Sequence, residues 1–266
     1  MWSIVKLGIA SYSYNKYLSD GSMTIEDFID EAFEQDVDGV ELNQLYFKPE
    51  VDRIKTIKKS LLEYGLDLSC VTVDNNFCKL DSNERKREVE FVKNWIDATV
   101  KLGSPIMRIN AGWPPKGVSE SDVFEVAVKC IKDSVEYAEQ YGLMVVVENH
   151  GGITSTAEQV LKLIKAVDSD WFRVNLDFGN FRENIYESIE AVMPYTVHIH
   201  AKIYELALEW YGLSSYWIEK RLDYRRIIEI IARYGYNGYL SLEYEGKDDP
   251  LIAVPRALDF LNNIIL

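Results

Sequence analysis

One pattern recurs along the chain: a helically periodic stretch stops at a glycine, and a short β-rich run follows at once. It is seen in YGLDLSC (64–70), LGSPIMRI (102–109), YGLMVVVE (141–148) and YGYNGYLSLE (234–243). Glycine ends a helix by taking the left-handed conformation, and the β-branched run then enters a sheet. The preceding stretches have one apolar face each, Val92, Ile96, Thr99 and Val100 in one, Phe124, Val128, Ile131, Val135 and Ala138 in another. Thr24 followed by Asp27 predicts a capped helix start, with the helix running through Phe33.

Eight strands are expected, over 5–11, 38–43, 66–73, 105–110, 143–148, 172–177, 196–200 and 238–243. Helical segments separate almost all of them, at the spacing that parallel crossovers require. No Pro/Gly/Ser-rich linker interrupts the 266 residues. The expected fold is therefore α/β, a single closed (β/α)8 barrel domain over 1–266, since such barrels run to roughly 250 residues. An open doubly wound sheet is disfavoured because no GxGxxG or GxxxxGK[ST] follows any strand.

In such barrels chemistry is done at the C-terminal strand ends. Polar residues gather there. The fifth strand, VVVENHGG, ends in Glu148 and His150, and the sixth, FRVNLDFGN, in Asp177 and Asn180. The seventh, TVHIHAK, carries His198, His200 and Lys202, and the eighth, YLSLEYEG, ends in Glu243 and Glu245. The chain has three histidines, and all fall on two of these strand ends. Neighbouring ends converge on the barrel axis, so Glu148, Asp177, His200 and Glu243 are expected to face one point. Three ionised carboxylates crowded in a partly dry pocket repel one another, and a divalent cation removes that cost. Three oxygens and one nitrogen suit Mn²⁺ best, with Mg²⁺, Co²⁺ or Zn²⁺ as alternatives. His198 sits deeper and is read as a core or supporting histidine.

The motifs LGIASYSY, GVELN, LGSPIMRINAG, VVVENHGG, NLDFGN, HIHAK and GYLSLEYEG, in this order, span nearly the whole chain. Together they resemble the sugar phosphate isomerase/epimerase family, whose fold is the xylose isomerase-like TIM barrel. In relatives such as ketose 3-epimerases the matching positions bind the metal, which implies the same four residues here. Two departures stand out. Many members read HxKD on the seventh strand, where this chain has Ile203 after Lys202, and Asn180 stands where ketose 3-epimerases carry a substrate-binding histidine.

The resemblance implies proton removal beside a sugar carbonyl, through an enediolate stabilised by the metal, with Glu148 and Glu243 as both ligands and acid/base pair. Asp177 and His200 would be ligands only. Lys202 is expected to steady a substrate oxygen, and His150 to meet a hydroxyl or move a proton. Asn180, Asn110, Arg108 and Trp113 are expected around the substrate, with Glu41 and Asn43 as further hydroxyl readers. Arg108 is equally suited to a buried ion pair.

The substrate is expected to be an unphosphorylated ketose, sugar or inositol-like polyol. The loop after the eighth strand, EYEGKDDP, is acidic, and the segment after the seventh is aromatic, with Tyr204, Trp210, Tyr211, Tyr216 and Trp217. Flat rings suit sugar C–H faces, although the same rings serve a helix or subunit contact, which leaves a homo-oligomer open. A dehydratase of a keto-polyol such as an inosose shares the first step and is the alternative activity. Endonuclease IV-like DNA repair is disfavoured: it needs a histidine-rich cluster, and 43 acidic against 29 basic residues give a net charge of −14, poor for binding a phosphate backbone. Long apolar runs are interrupted by charge, so no membrane partner is expected. The start MWSIVKLGIASYSY reads as a first strand and not a leader, and three unspaced cysteines suit a reducing cytoplasm.

Overall fold

The computed structural model describes residues 5–211 and 214–265. Eight parallel strands close a barrel: β1 (Lys6–Ala10), β2 (Gly39–Asn43), β3 (Asp67–Thr72), β4 (Ile106–Ile109), β5 (Met144–Glu148), β6 (Phe172–Asp177), β7 (Thr196–Ile203) and, after a hairpin of β8 (Leu206–Tyr211) and β9 (Ser214–Glu219), β10 (Tyr239–Tyr244). Around the barrel the order is β1-β10-β7-β6-β5-β4-β3-β2, with every pairing parallel. This is a (β/α)8 barrel, as the strand count predicts.

The glycine stops explain how four of the helices hand over to a strand. Gly65, Gly103, Gly142 and Gly235 all take positive φ, between 63° and 93°, at the ends of helices or just beyond them. The predicted cap forms as well. Thr24 Oγ1 accepts the Asp27 amide at 3.1 Å, Asp27 accepts the Thr24 amide at 2.8 Å, and the helix runs Ile25–Glu34.

The three valines of β5 are fully buried because helices cover one face of the strand and barrel-interior side chains the other. Helix faces pack as their periodicity requires: Val92, Ile96 and Thr99 are buried, as are Phe124, Val128, Ile131, Val135 and Ala138.

Two segments differ from expectation. β7 continues to Ile203, because Lys202 and Ile203 stay in register with Glu243 and Tyr244 of β10. The aromatic segment is an antiparallel hairpin with Leu206 opposite Glu219 and Leu208 opposite Trp217, its alternating side chains favouring strand over loop. Residues 212–213 and the side chain of Tyr211 lie outside the described residues. Among the described residues no helix is long and apolar enough to cross a membrane.

Candidate metal centre and cleft

Sheet register assembles the centre. β6 and β7 align Asn175 with His198 and Asp177 with His200, while β7 and β10 align Lys202 with Glu243. Glu148, Asp177, His200 and Glu243 are all buried, and one ligand atom from each lies within 4.8 Å of the others. From His200 Nδ1 the distances are 3.4 Å to Glu243 Oε2, 3.6 Å to Glu148 Oε1 and 3.8 Å to Asp177 Oδ2.

His200 is aimed by its other nitrogen. Nε2 lies 2.9 and 3.0 Å from the two Glu41 oxygens, and Thr72 Oγ1 donates to Glu41 Oε1. Glu41 therefore orients the ring; the hydroxyl-reading role expected for it does not fit a side chain so engaged. Burial opposes its charge, but the His200 imidazolium outweighs burial and holds the Glu41 carboxyl down at about 2. With Nε2–H given to Glu41, loss of the Nδ1 proton would leave that nitrogen's lone pair aimed at the three carboxylates. His198 is a hydrogen-bonded core histidine, with Nδ1 2.8 Å from Asn175 Oδ1, and burial lowers it to about 4. Glu41 and His198 also converge on His200, but their facing atoms are engaged within this network.

Each carboxylate is braced from one side. Asn180 Nδ2 donates to Glu148 Oε1 at 3.0 Å, and Arg108 Nη2 lies 2.9 Å from Glu148 Oε2, a charge contact out of hydrogen-bonding alignment. Asp177 Oδ1 accepts the Gly179 amide at 2.7 Å, while Lys202 Nζ sits 3.0 Å from Oδ2. Lys202 Nζ also donates to Glu243 Oε2 and, at 2.9 Å, to Glu245 Oε1. Burial would raise the Glu148 carboxyl, but Arg108 and His200 hold it well below the usual range; Lys202 and His200 do the same for Glu243. Burial lifts Asp177 against the pull of Lys202.

The residues fit a divalent cation. Asp177 Oδ2 and His200 Nδ1, 3.8 Å apart at the point of convergence, are buried without a hydrogen bond among the described residues, and Asp177 Oδ2 has only a charge contact to Lys202. Buried acceptors facing one another are costly unless a cation meets them. Five carboxylates, Glu41, Glu148, Asp177, Glu243 and Glu245, face two permanent cations, Arg108 and Lys202. The excess is negative, which a dication offsets.

Beside the centre opens a cleft of about 760 Å³, lined among others by Trp113, His150, Asn180, Arg182, Glu183 and Tyr204. Trp113 and His150 meet edge to face with centroids 5.5 Å apart. Behind them Gly152, at φ 54°, presses on the preceding loop: a side-chain carbon there would overlap the Gly112 carbonyl oxygen, and Ile153 N donates to that oxygen at 3.2 Å.

Of the residues expected around the substrate, Trp113, His150 and Asn180 line this cleft. Arg108 and Asn110 lie behind Glu148: Arg108 Nη1 donates to Asn110 Oδ1 at 3.0 Å, and Asn110 Nδ2 to Asp74 Oδ1 at 2.8 Å. Asn43 accepts the Leu45 amide and braces a turn. Of the aromatic segment Tyr204 reaches the cleft, whereas Tyr216 and Trp217 face a separate groove against the helices Tyr224–Arg233 and Pro250–Ile265.

Sequence reasoning missed Asn149 and Asn175. Asn149 Nδ2 donates to the Asp177 carbonyl at 2.9 Å and its Oδ1 accepts the Asp177 amide at 2.8 Å, which ties the ends of β5 and β6. Asn175 shares parity with Asp177, a signal that was available in VNLD.

Residues 29–264 match the family described as xylose isomerase-like TIM barrel. An uncharacterized protein of Methanocaldococcus jannaschii is 24% identical over 190 residues, and the match covers 66% of this chain and 63% of that protein's length. Among solved structures, D-psicose 3-epimerase with D-tagatose from Clostridium cellulolyticum superposes with TM-score 0.74 at 21% identity, covering 97% of this chain and 92% of that one. The probable 3-DHS dehydratase AsbF of Bacillus anthracis gives 0.74 at 17%, covering 97% and 99%.

Proposed function

Because this chain belongs to the xylose isomerase-like TIM barrel family, we propose that it is a cytoplasmic, single-domain enzyme, a metal-dependent isomerase or epimerase of an unphosphorylated sugar, ketose or related polyol. The observation that carries this reading is the convergence of Glu148, Asp177, Glu243 and His200 on one buried point, with His200 Nδ1 left without a hydrogen bond among the described residues. Those four side chains would hold the ion, Mn²⁺ by preference for a mixed oxygen and nitrogen set. Bound there, a dication supplies electrostatic stabilisation for the negative charge that builds on substrate oxygens as a C–H proton leaves.

The protein's own groups do the rest. Glu148 and Glu243 are both held ionised and come from strands on either side of β7, so each could accept a proton from a substrate carbon facing it. Asn180 fixes the Glu148 carboxylate at the edge of the cleft, and Trp113 with His150 walls the space where a sugar would lie. One arginine and one glutamate, Arg182 and Glu183, are the charged side chains lining that cleft, a balance suited to a neutral polyol.

The test is deuterium exchange from D2O into a panel of ketoses and inososes by Mn²⁺-loaded protein, with Glu148→Gln and Glu243→Gln as partners. Each substitution is expected to slow exchange by about 10²–10⁴-fold, with metal retained by elemental analysis. Normal exchange in both metal-loaded variants ends the two-carboxylate reading. The solved structure described as a probable 3-DHS dehydratase keeps a lyase as the second reading; a product lighter by one water would select it.

A further inference from the structure

The three carboxylate oxygens facing His200 Nδ1 are Glu148 Oε1, Asp177 Oδ2 and Glu243 Oε2. Two of these are already held by a cation. Lys202 Nζ lies 3.0 Å from Asp177 Oδ2 and donates to Glu243 Oε2. The lysine is 1% exposed, and its stem comes from β7, in register beside Glu243 on β10. Its third partner differs in kind. Glu245 Oε1, 2.9 Å away, belongs to a side chain one-third exposed and outside the converging four.

We infer that Lys202 is a built-in competitor for the cation: it bridges Asp177 and Glu243 while no ion is bound, and moves wholly onto Glu245 when one binds. This rests on the proposed reading of the four residues as a metal centre. A compact ammonium and a dication cannot both sit in contact with the same two oxygens, because their mutual repulsion at that distance exceeds what either gains from sharing. A lysine, on a flexible four-carbon stem, has the freedom to yield. Arg108 is no such competitor, since it meets Glu148 through Oε2, away from His200 Nδ1.

Two consequences follow. Lys202 offsets part of the carboxylate charge without an ion, which eases folding ahead of metal. The centre also binds its ion more weakly than its donor set alone would, and loading it leaves an ammonium poised beside the reacting carboxylates, held by Glu245.

Calorimetric titration of the full chain with Mn²⁺ tests this. Lys202→Met is expected to tighten Mn²⁺ binding by about tenfold or more, the reverse of what loss of a supporting residue does. Glu245→Gln is expected to weaken it severalfold, because the displaced ammonium loses its anionic partner. In the Lys202→Met background the same Glu245 substitution is expected to change nothing, since Glu245 acts through the lysine. Unchanged or weaker binding by Lys202→Met overturns the inference, as does a Glu245→Gln effect of equal size in both backgrounds. If Lys202→Met fails to fold, a crystal structure of the Mn²⁺-loaded natural protein decides: Nζ still within contact of Asp177 Oδ2 beside a bound ion refutes displacement, and Nζ on Glu245 alone supports it. A natural protein that binds no dication removes the metal-centre reading itself and this inference with it, an outcome distinct from metal bound without exchange.

Discussion

On one wall of the centre Glu148 is gripped by a guanidinium, and on the other Glu243 is gripped by an ammonium. The Arg108 wall is braced to its rear, through Asn110 to Asp74, and Arg108 meets the Glu148 oxygen turned away from His200. The Lys202 wall has no such backing: one Nζ is divided among Asp177, Glu243 and Glu245, and two of those contacts are to oxygens facing His200. Charge compensation alone does not distinguish the walls. What differs is which oxygen is compensated, and that makes Arg108 a permanent part of the site and Lys202 an exchangeable one.

The sharpest way to break this contrast is Arg108→Met. It leaves Glu148 buried and without its cation, so urea unfolding should show a loss of about 3–5 kcal/mol. Excess Mn²⁺ should stabilise the variant and the natural protein alike by mass action, leaving the gap between them open. A gap closed by Mn²⁺ would mean that the two walls are equivalent.

Next in size is Glu41→Gln. The amide still accepts from His200 but carries no charge, and the expected loss of Mn²⁺ affinity is about 10–100-fold. The pH dependence should change with it. Burial lowers the proton affinity of His200, but Glu41 and Glu243 outweigh burial and raise it well above the ordinary value. A proton on Nδ1 therefore competes with the ion, and affinity should rise with pH across the neutral range. With Glu41 neutralised that proton is held less tightly, so titrations at several pH values should show a flatter slope. An unaltered slope would dissociate Glu41 from the ligand nitrogen.

The smallest effect is expected from Asn180→Ala, which removes one bond to Glu148 on the already braced wall. Unfolding should register a loss of about 1 kcal/mol, and the Mn²⁺ midpoint should barely move. A large drop in affinity would show that the first wall also depends on the cleft side for its shape.

Much of the barrel could be read in advance because its cues are local. A helix face, a left-handed glycine and a buried β-branched run are each visible within a dozen residues, and β1 to β7 and β10 lie where those cues put them. The gathering of Glu148, Asp177, His200 and Glu243 was legible too, since side chains of inward parity at neighbouring strand ends face the barrel axis together. What escaped depends on partners far along the chain. Glu41 lies 159 residues from His200, and nothing near GVELN tells that its carboxylate faces an imidazole. Arg108 was open to two roles until Glu148 was placed beside it. The hairpin was obscured by composition: its aromatics drew attention as rings for a ligand, while the alternation in LALEWY and SSYWIE pointed to strand pairing.

The crossing of Gly152 over the Gly112 carbonyl couples the two loops that carry His150 and Trp113. Neither loop can be widened by itself, because backbone rests on backbone with no side chain between them to trim. Any redesign for a bulkier guest must begin at that crossing, and a single alanine there would be felt on both sides of the mouth.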